Sequence, residues 1–289
     1  MNWSRTIIQT CITTALHAEA RPLIEHFKLK QDTTSHAVRI YRSESVSLTV
    51  GGVGKVKSAV AATCLLAQTP LLGRVTALNI GIAGCTQEKN ADAVQIGDLF
   101  LINKIIDHAT GRESFPDLLS VCGARENVVT TLDRPLDRID STTVDDGLVD
   151  MESSGFYQAT ATFLAPHQIG CIKIVSDFLK VERFDSDWIG SLIAQQIPFI
   201  EKLIEGYHSI SELAFDILIS DDRIVLDLIR QNLRLTVTQY KLLTDYARSY
   251  KLHTEQALPD LSDFSKIIVT DKYEGKNLLE QIRKRLLAT

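Results

Sequence analysis

Apolar and polar positions follow two different periods along the first two thirds of the chain. Short apolar runs rich in β-branched residues predict strands, whereas apolar residues spaced three and four apart predict helices. The predicted strands cover residues 6–16, 37–50 (a pair), 75–80, 99–106, 128–132 and 172–175. One predicted helix begins near Pro22, and the others cover residues 56–68, 153–164 and 189–204. Because strands and helices follow one another in turn, this part is predicted to form a layered α/β domain.

The pattern changes at residues 206–208. Beyond them, helical spacing dominates in segments 210–219, 224–233, 236–252 and 276–287. We therefore predict two domains, an α/β domain over residues 1–205 and a mainly helical C-terminal extension over residues 206–289. The role of the extension is unknown. A packing or oligomerising role is the first interpretation, and a faint helix-turn-helix pattern in its third segment is the second.

The charge of the chain gives no reason to expect a nucleic acid or an anionic membrane as a partner. The formal net charge is −5, and residues 207–289 hold twelve acidic and twelve basic side chains. DNA-binding domains carry a basic surface instead. No apolar run reaches the roughly 18 residues that span a bilayer. We therefore expect no nucleic acid and no membrane among the partners.

The five cysteines indicate a reducing compartment. They are widely spaced, odd in number and free of any CxxC pair, and they are Cys11, Cys64, Cys85, Cys122 and Cys171. This spacing is typical of buried thiols rather than of a disulfide framework or a zinc site. Residues 6–16 are too polar for a signal-peptide core. We expect a cytoplasmic protein without a metal site.

Carboxylates stand where predicted strands and helices meet. Glu152 opens a predicted helix, and Asp177 follows a predicted strand. Ligand crevices of open α/β sheets lie at such junctions, so Glu152 and Asp177 are candidates for one shared pocket. Glu19 lies in the turn between the first strand and the first helix. Taken alone, Glu19 is explained as well by a carboxylate that complements the helix dipole.

Two glycine-rich segments adjoin predicted elements. Residues 51–55 (Gly-Gly-Val-Gly-Lys) open the helix 56–68, and such a turn can cradle an anion. Its spacing matches neither a Walker loop nor GxGxxG, and close packing of helix on strand explains its glycines as well. Gly81 and Gly84 end the strand 75–80, where they let the backbone approach a ligand closely.

Six segments, in this order, resemble the nucleoside phosphorylase superfamily. They are residues 15–23 (ALHAEARPL), 51–56 (GGVGKV), 78–84 (LNIGIAG), 95–99 (QIGDL), 149–153 (VDMES) and 174–177 (IVSD). The similarity is greatest to the hydrolytic branch, which contains methylthioadenosine/S-adenosylhomocysteine nucleosidases and futalosine hydrolase. It implies a three-layer α/β/α catalytic domain around a central mixed sheet, with the extension outside the family core.

The resemblance implies a role for each of three carboxylates. Glu19 falls at the glutamate that activates water, Glu152 at the glutamate that binds the ribose 2′- and 3′-hydroxyls, and Asp177 at the aspartate that protonates or hydrogen-bonds purine N7. Glu19 and Asp177 are thereby implied to be catalytic. The other substrate-binding positions implied are Gly81, Ala83, Met151, Lys173, Ser176 and Phe184. Residues 130–133 are implied to contact the base, and residues 107–119 to form a loop that often reaches a neighbouring subunit's site.

These roles predict hydrolysis of the N-glycosidic bond of a purine-type nucleoside, without a cofactor. A purine leaves readily once N7 takes a proton, which a carboxylic acid can supply. A carboxylate beside the ribose stabilises the developing cation, and another deprotonates water on the opposite face, as in inverting glycosidases. We expect a small-molecule nucleoside as partner, a place in purine salvage, and a homo-oligomer, dimeric or larger.

One residue departs from both branches of the superfamily. Ile82 stands where nucleosidases usually place a serine and where phosphorylases bind phosphate. An apolar side chain cannot bind phosphate, which favours water as the nucleophile, but it weakens the match to nucleosidases as well. Two alternatives therefore stay open: a phosphorylase with phosphate as a second partner, and a non-catalytic nucleoside-binding scaffold.

Overall fold

The chain divides into two compact units, Met1–Ala214 and Phe215–Thr289. A computed structural model of the protein describes residues 8–35, 37–69, 75–86, 94–118, 123–135, 144, 147–179, 185–213, 218–254 and 256–287. Within these ranges, no helix has the length and apolar character that crossing a membrane requires.

The first unit is built on a mixed β-sheet. Its described strands are β1 Gln9–Thr14, β2 Lys30–Asp32, β3 Ile40–Arg42, β4 Val46–Val50, β5 Val75–Cys85, β6 Leu99–Asp107, β7 Arg112–Ser114, β8 Arg125–Thr131, β9 Leu148–Asp150 and β10 Ile169–Asp177. Their order is β10-β6-β8-β9-β5-β1-β4-β3-β2, with β7 beside β6. Because β10 also pairs with β5, the neighbouring strands β5, β9, β8, β6 and β10 form a closed ring. The sequence pattern did not predict this closure.

Helices cover both faces of this sheet. They are α1 His17–His26, α2 Lys55–Ala67, α3 Ser153–Thr160 and α4 Ser186–Leu213, with a short 3-10 helix at Pro166–Gln168. Ile172 and Ile174 of β10 pack in one buried cluster with the apolar face of α4, whereas Cys171 and Val175 pack in another with Phe156 of α3. Alternate residues of the strand thus face opposite layers. The predicted layered α/β fold around a central mixed sheet is confirmed.

The predicted domain boundary between residues 205 and 206 falls inside α4. Gly206 does not end the helix, because an interior glycine costs only about 1 kcal/mol and the buried face continues through Leu203, Ile204 and Tyr207. The chain passes from one compact unit to the other between Ala214 and Phe215. The first part of the separate helix predicted at residues 210–219 belongs to α4.

The second unit is helical, as predicted. Its described helices are α5 Ser220–Asn232, α6 Val237–Thr254, α7 Ser262–Ser265 and α8 Lys272–Leu287. They enclose a core of their own that includes Leu226, Ile229, Leu243 and Ile282. A buried ion pair joins Lys251 of α6 to Asp222 of α5, with 2.5 Å between nitrogen and oxygen.

Gly275 of α8 fits where a larger residue does not. A Cβ atom at this position would overlap the carbonyl oxygen of Leu233. We expect Gly275→Ala to destabilise the second unit by about 1–3 kcal/mol, the usual cost of overpacking. Urea unfolding followed by far-UV circular dichroism measures the change. Lys276→Ala, on the exposed side of the same helix, is the control, and equal stability of the two variants would contradict the contact.

Candidate functional site

The carboxyl end of β5 is flanked by two other strands. Gly81 pairs with Lys173 of β10, and Gly84 pairs with Asp177 beyond a shift in register. On the other side, β9 pairs with the last residues of β5 and is followed within two residues by Glu152. These pairings bring residues from separate parts of the sequence to one end of the sheet.

Glu19 lies in the first turn of α1 rather than in the turn before it, and its side chain reaches β5. Its carboxylate accepts hydrogen bonds from the backbone amides of Ala15 (2.9 Å), Leu16 (2.8 Å) and Ile82 (3.0 Å). Gly81 permits this approach, because a Cβ there would lie 2.9 Å from Oε1. Burial raises the pKa of Glu19, although these amides and the charge of Lys173 oppose the increase. Complementing the helix dipole therefore does not account for all its contacts.

Glu152 directly precedes α3 and is buried. Its Oε1 accepts a hydrogen bond from the backbone amide of Gly54 (2.8 Å), and its Oε2 accepts one from the amide of Met151 (3.3 Å). Burial, followed by the negative charge of Asp150, raises the pKa of Glu152 to about 7. The side chain of Met151 is half-buried.

Lys173 is enclosed by protein and is 1% exposed. Its ammonium donates to Asn79 (2.7 Å) and forms an ion pair with Asp150 (2.8 Å). Burial lowers the pKa of Lys173, but the charges of Asp150 and Glu152 outweigh that effect and raise the pKa above its ordinary value. The predicted substrate contact of Lys173 does not fit this enclosure, and charge compensation is the role that we propose for it.

Asp150 is a functional candidate that its position in the sequence did not indicate. Its carboxylate binds Lys173 and also accepts hydrogen bonds from Ser153 (Oγ, 2.6 Å) and Thr131 (2.8 Å). These contacts fix β8, β10 and the start of α3 relative to one another. The signal available in the sequence was an aspartate inside a short apolar segment, two positions before Glu152 in the motif VDMES.

Asp177 is the last residue of β10 and is 7% exposed. Its Oδ2 accepts a hydrogen bond from the Ser176 hydroxyl (2.6 Å), and its Oδ1 accepts one from the amide of Leu179 (2.7 Å). Each carboxylate oxygen can accept two hydrogen bonds, so Asp177 can also bind a ligand. Ser176 is buried and lies 3.2 Å from the carbonyl oxygen of Ala83. Its contacts orient Asp177.

The remaining predicted substrate-binding positions lie in β5 or outside the described residues, and the predicted loop 107–119 is partly a strand. Gly81 and Ala83 are buried within β5, which continues past the predicted end at residue 80. Phe184 lies outside the described residues. The predicted irregular segment 107–119 contains the strand β7, paired with β6, and the Tyr157 hydroxyl donates to the carbonyl of Phe115 (3.2 Å).

The glycine-rich turn at residues 51–55 binds carboxylates of the protein itself. The Gly54 amide donates to Glu152, and the ammonium of Lys55 lies 3.0 Å from both Asp107 and Asp133. A lysine already paired with two carboxylates is a poor phosphate ligand. These contacts disfavour an open anion site here.

Buried carboxyl groups are concentrated around the end of β5. In the described part of the chain, four buried carboxyl groups share this region with the buried ammonium of Lys173, and they belong to Glu19, Asp150, Glu152 and Asp177. In their ionised forms, these carboxyl groups attract a developing cation and repel an anion. Across all the residues that the structure describes, no group of three or more histidine, cysteine, aspartate or glutamate side chains is placed to hold a metal ion.

Known proteins share this architecture. A family model described as the Phosphorylase superfamily matches residues 9–130. The 5′-methylthioadenosine/S-adenosylhomocysteine nucleosidase of Colwellia psychrerythraea 34H, solved with adenine, is 18% identical with a TM-score of 0.56, covering 71% of this chain and 96% of that one. The S. pneumoniae nucleosidase, solved with a transition-state inhibitor, is 18% identical with a TM-score of 0.57, covering 69% and 99%.

A futalosine hydrolase mutant of Helicobacter pylori is similar to the same extent, at 14% identity and a TM-score of 0.56, covering 69% of this chain and 99% of that one. A search of curated protein sequences gives no match. The match of residues 9–130 and the shared fold agree with the six segments quoted from the sequence. The predicted resemblance to the nucleoside phosphorylase superfamily is therefore confirmed, and the fold is the one found in its nucleosidases and in futalosine hydrolase.

Proposed function

We propose that the protein is an enzyme that hydrolyses the N-glycosidic bond of a purine-type nucleoside, with water as the nucleophile. The observation that carries the proposal is the excess of buried carboxyl groups at the end of β5. Cleavage of this bond passes through a sugar with cationic character, which negative charge stabilises. The same negative charge would repel a phosphate ion.

In the proposed mechanism, Glu19 accepts a proton from the attacking water. Its raised pKa makes it a stronger base than an ordinary glutamate. Glu152 binds the ribose hydroxyls through the carboxylate that the Gly54 amide orients. Asp177 donates a proton to N7 of the purine as the bond between the sugar and the base breaks, and the water oxygen forms the new bond to the sugar carbon. Asp177 regains a proton from solvent after the products leave. Lys173 touches none of the reacting atoms and limits the repulsion among the carboxylates.

Water is favoured over phosphate at two positions. The amide of Ile82 donates to Glu19, and the apolar side chain of Ile82 offers phosphate no hydrogen bond. The ammonium of Lys55 is paired with Asp107. The Ile82 amide and the Lys55 ammonium, which could otherwise bind phosphate, are therefore each already bound to a carboxylate.

A nucleoside panel tests the proposal. We expect release of free base from at least one of adenosine, inosine, methylthioadenosine, S-adenosylhomocysteine and futalosine in phosphate-free buffer, measured by liquid chromatography. Release only in the presence of phosphate would identify a phosphorylase instead. Saturable binding of a nucleoside without release would identify a scaffold.

The activity is expected to depend on pH near neutrality. Glu152 has a pKa of about 7, and protonation removes the negative charge that orients the ribose hydroxyls. We therefore expect kcat/KM to fall as the pH is lowered through about 7, and to level off above it. Initial rates between pH 5.5 and 9 measure this dependence. A profile that stays flat across this range would contradict the role of Glu152.

We further propose a cytoplasmic role in nucleoside metabolism such as purine salvage, performed by a homo-oligomer. Cys11 and Cys171 are buried thiols outside any disulfide, and burial raises the pKa of Cys11 to about 11 and that of Cys171 to about 12. Unreactive thiols of this kind support a reducing compartment. We propose a packing or oligomerising role for the second unit, and sedimentation of the full chain measures the oligomeric state.

A further inference from the structure

The hydrogen bond from Gly54 to Glu152 depends on an unusual turn. Gly54 has a φ of +106°, a conformation that favours glycine, and its amide lies 2.8 Å from Oε1 of Glu152. The amide belongs to the residue just before α2. A movement of the first residue of that helix would therefore displace this amide.

Residues close in sequence to Gly54 and to Glu152 both bind the carboxylate of Asp107. Lys55, directly after Gly54, places its ammonium 3.1 and 3.0 Å from the two oxygens of Asp107. The hydroxyl of Ser154, two residues after Glu152, donates to Asp107 at 2.9 Å. Asp107 is buried. Glu152, Ser154, Asp107, Lys55 and Gly54 thus form a closed ring of covalent and hydrogen-bonded links.

Backbone packing closes the same ring from another side. A Cβ atom at Gly155 would overlap the carbonyl of Lys55, so the starts of α2 and α3 are in direct contact. The second carboxylate bound to Lys55, that of Asp133, is 59% exposed, whereas that of Asp107 is 4% exposed. An ion pair is less screened by solvent at the buried carboxylate. Asp107 is therefore the anchor of Lys55.

We propose that Lys55 is a positioning residue for Glu152, and that its ion pair with Asp107 holds the Gly54 amide on the carboxylate that binds the ribose. This inference rests on the proposed function. Lys55 acts through the backbone and touches no substrate. Without its ammonium, the start of α2 loses its link to Asp107, and the Gly54 amide loses its fixed direction.

Substitution of Lys55 tests the proposal by kinetics. We expect Lys55→Met to lower kcat/KM for the best nucleoside by roughly tenfold to a hundredfold, the cost of a misplaced binding group, with most of the change in KM. Lys55→Arg keeps the charge and is expected to recover part of the loss. Lys57→Met makes the same substitution two residues later, at an exposed position, and is expected to leave the activity unchanged.

A double-mutant cycle identifies the partner of Lys55. Asp107→Asn is expected to reproduce the loss, and the double variant with Lys55→Met to lose less than the product of the two single effects, because both remove one interaction. Losses that multiply independently would overturn the assigned ion pair.

Amide hydrogen exchange tests the positioning without any assay of activity. We expect the Gly54 amide to exchange at least tenfold faster in Lys55→Met than in Lys57→Met, as resolved by NMR. An unchanged exchange rate would overturn the inference whether or not the protein cleaves nucleosides. If the unsubstituted protein releases no base but Gly54 exchanges faster, the proposed function fails and the positioning by Lys55 stands.

Discussion

Replacement of Glu19 by glutamine is expected to lower kcat for base release about 10²–10⁴-fold, the range of general base catalysis. Glutamine has nearly the same shape but cannot take a proton from water. The amide of the new side chain would also face a backbone amide that now donates to Glu19, so the variant should be less stable by about 1–3 kcal/mol. Rates measured below its melting temperature separate the two effects.

Glu25→Gln provides the matched control, since Glu25 lies on the same helix and is exposed. It is expected to retain full activity. The pH profile adds a second check: because the pKa of Glu19 is raised, activity should be lost as the pH falls through a value above that of an ordinary glutamate. Full activity in a folded Glu19→Gln variant would exclude Glu19 as the base.

The periodicity of the chain predicted the elements that pack by an apolar face. Helix α2 was placed to within one residue at each end, and the buried runs in β6 and β10 were found. β7 was missed because Arg112–Ser114 has no apolar period and forms a strand only through pairing with β6. Local sequence contains no information on such a partner.

The end of β5 was predicted too early for a similar reason. Gly81 and Gly84 are typical of a strand's end, yet the strand continues to Cys85. Gly81 is needed because the carboxylate of Glu19 lies against it, and Gly84 lies against Asp177 and Leu179. These contacts join residues far apart in the chain, and a single sequence does not show them.

The sequence placed the candidate carboxylates at element junctions but did not reveal their partners. Lys173 is one basic residue within an apolar strand, a pattern that fits a ligand contact as well as a buried ion pair. Only the pairing of β10 with β5, and of β5 with β9, places its ammonium beside Asp150. Lys55 and Asp107 are likewise 52 residues apart, so the sequence did not show that they form an ion pair. Locally, residues 51–55 only resembled an anion-binding turn.

Asp177→Asn is expected to reduce purine release about 10²–10⁴-fold while leaving the fold intact. The introduced amide can keep the hydrogen bond from Leu179 through its oxygen. Its nitrogen can donate to the hydroxyl of Ser176, which in turn can donate to the carbonyl of Ala83, 3.2 Å away. The substitution thus removes the carboxylate while the contacts with Leu179 and Ser176 can be kept. Asp187→Asn, at an exposed position, is the control.

The leaving group separates the role of Asp177 from that of Glu19. In a riboside of p-nitrophenol, the leaving group departs as a stabilised anion and needs no proton. A residue that protonates N7 of a purine therefore cannot accelerate its cleavage. If the unsubstituted protein cleaves this compound, Asp177→Asn should cleave it within a few-fold of the same rate. Glu19→Gln should still fail, because water must be activated for either substrate. Equal loss of both activities in Asp177→Asn would show that Asp177 holds the sugar or the site itself, rather than the base.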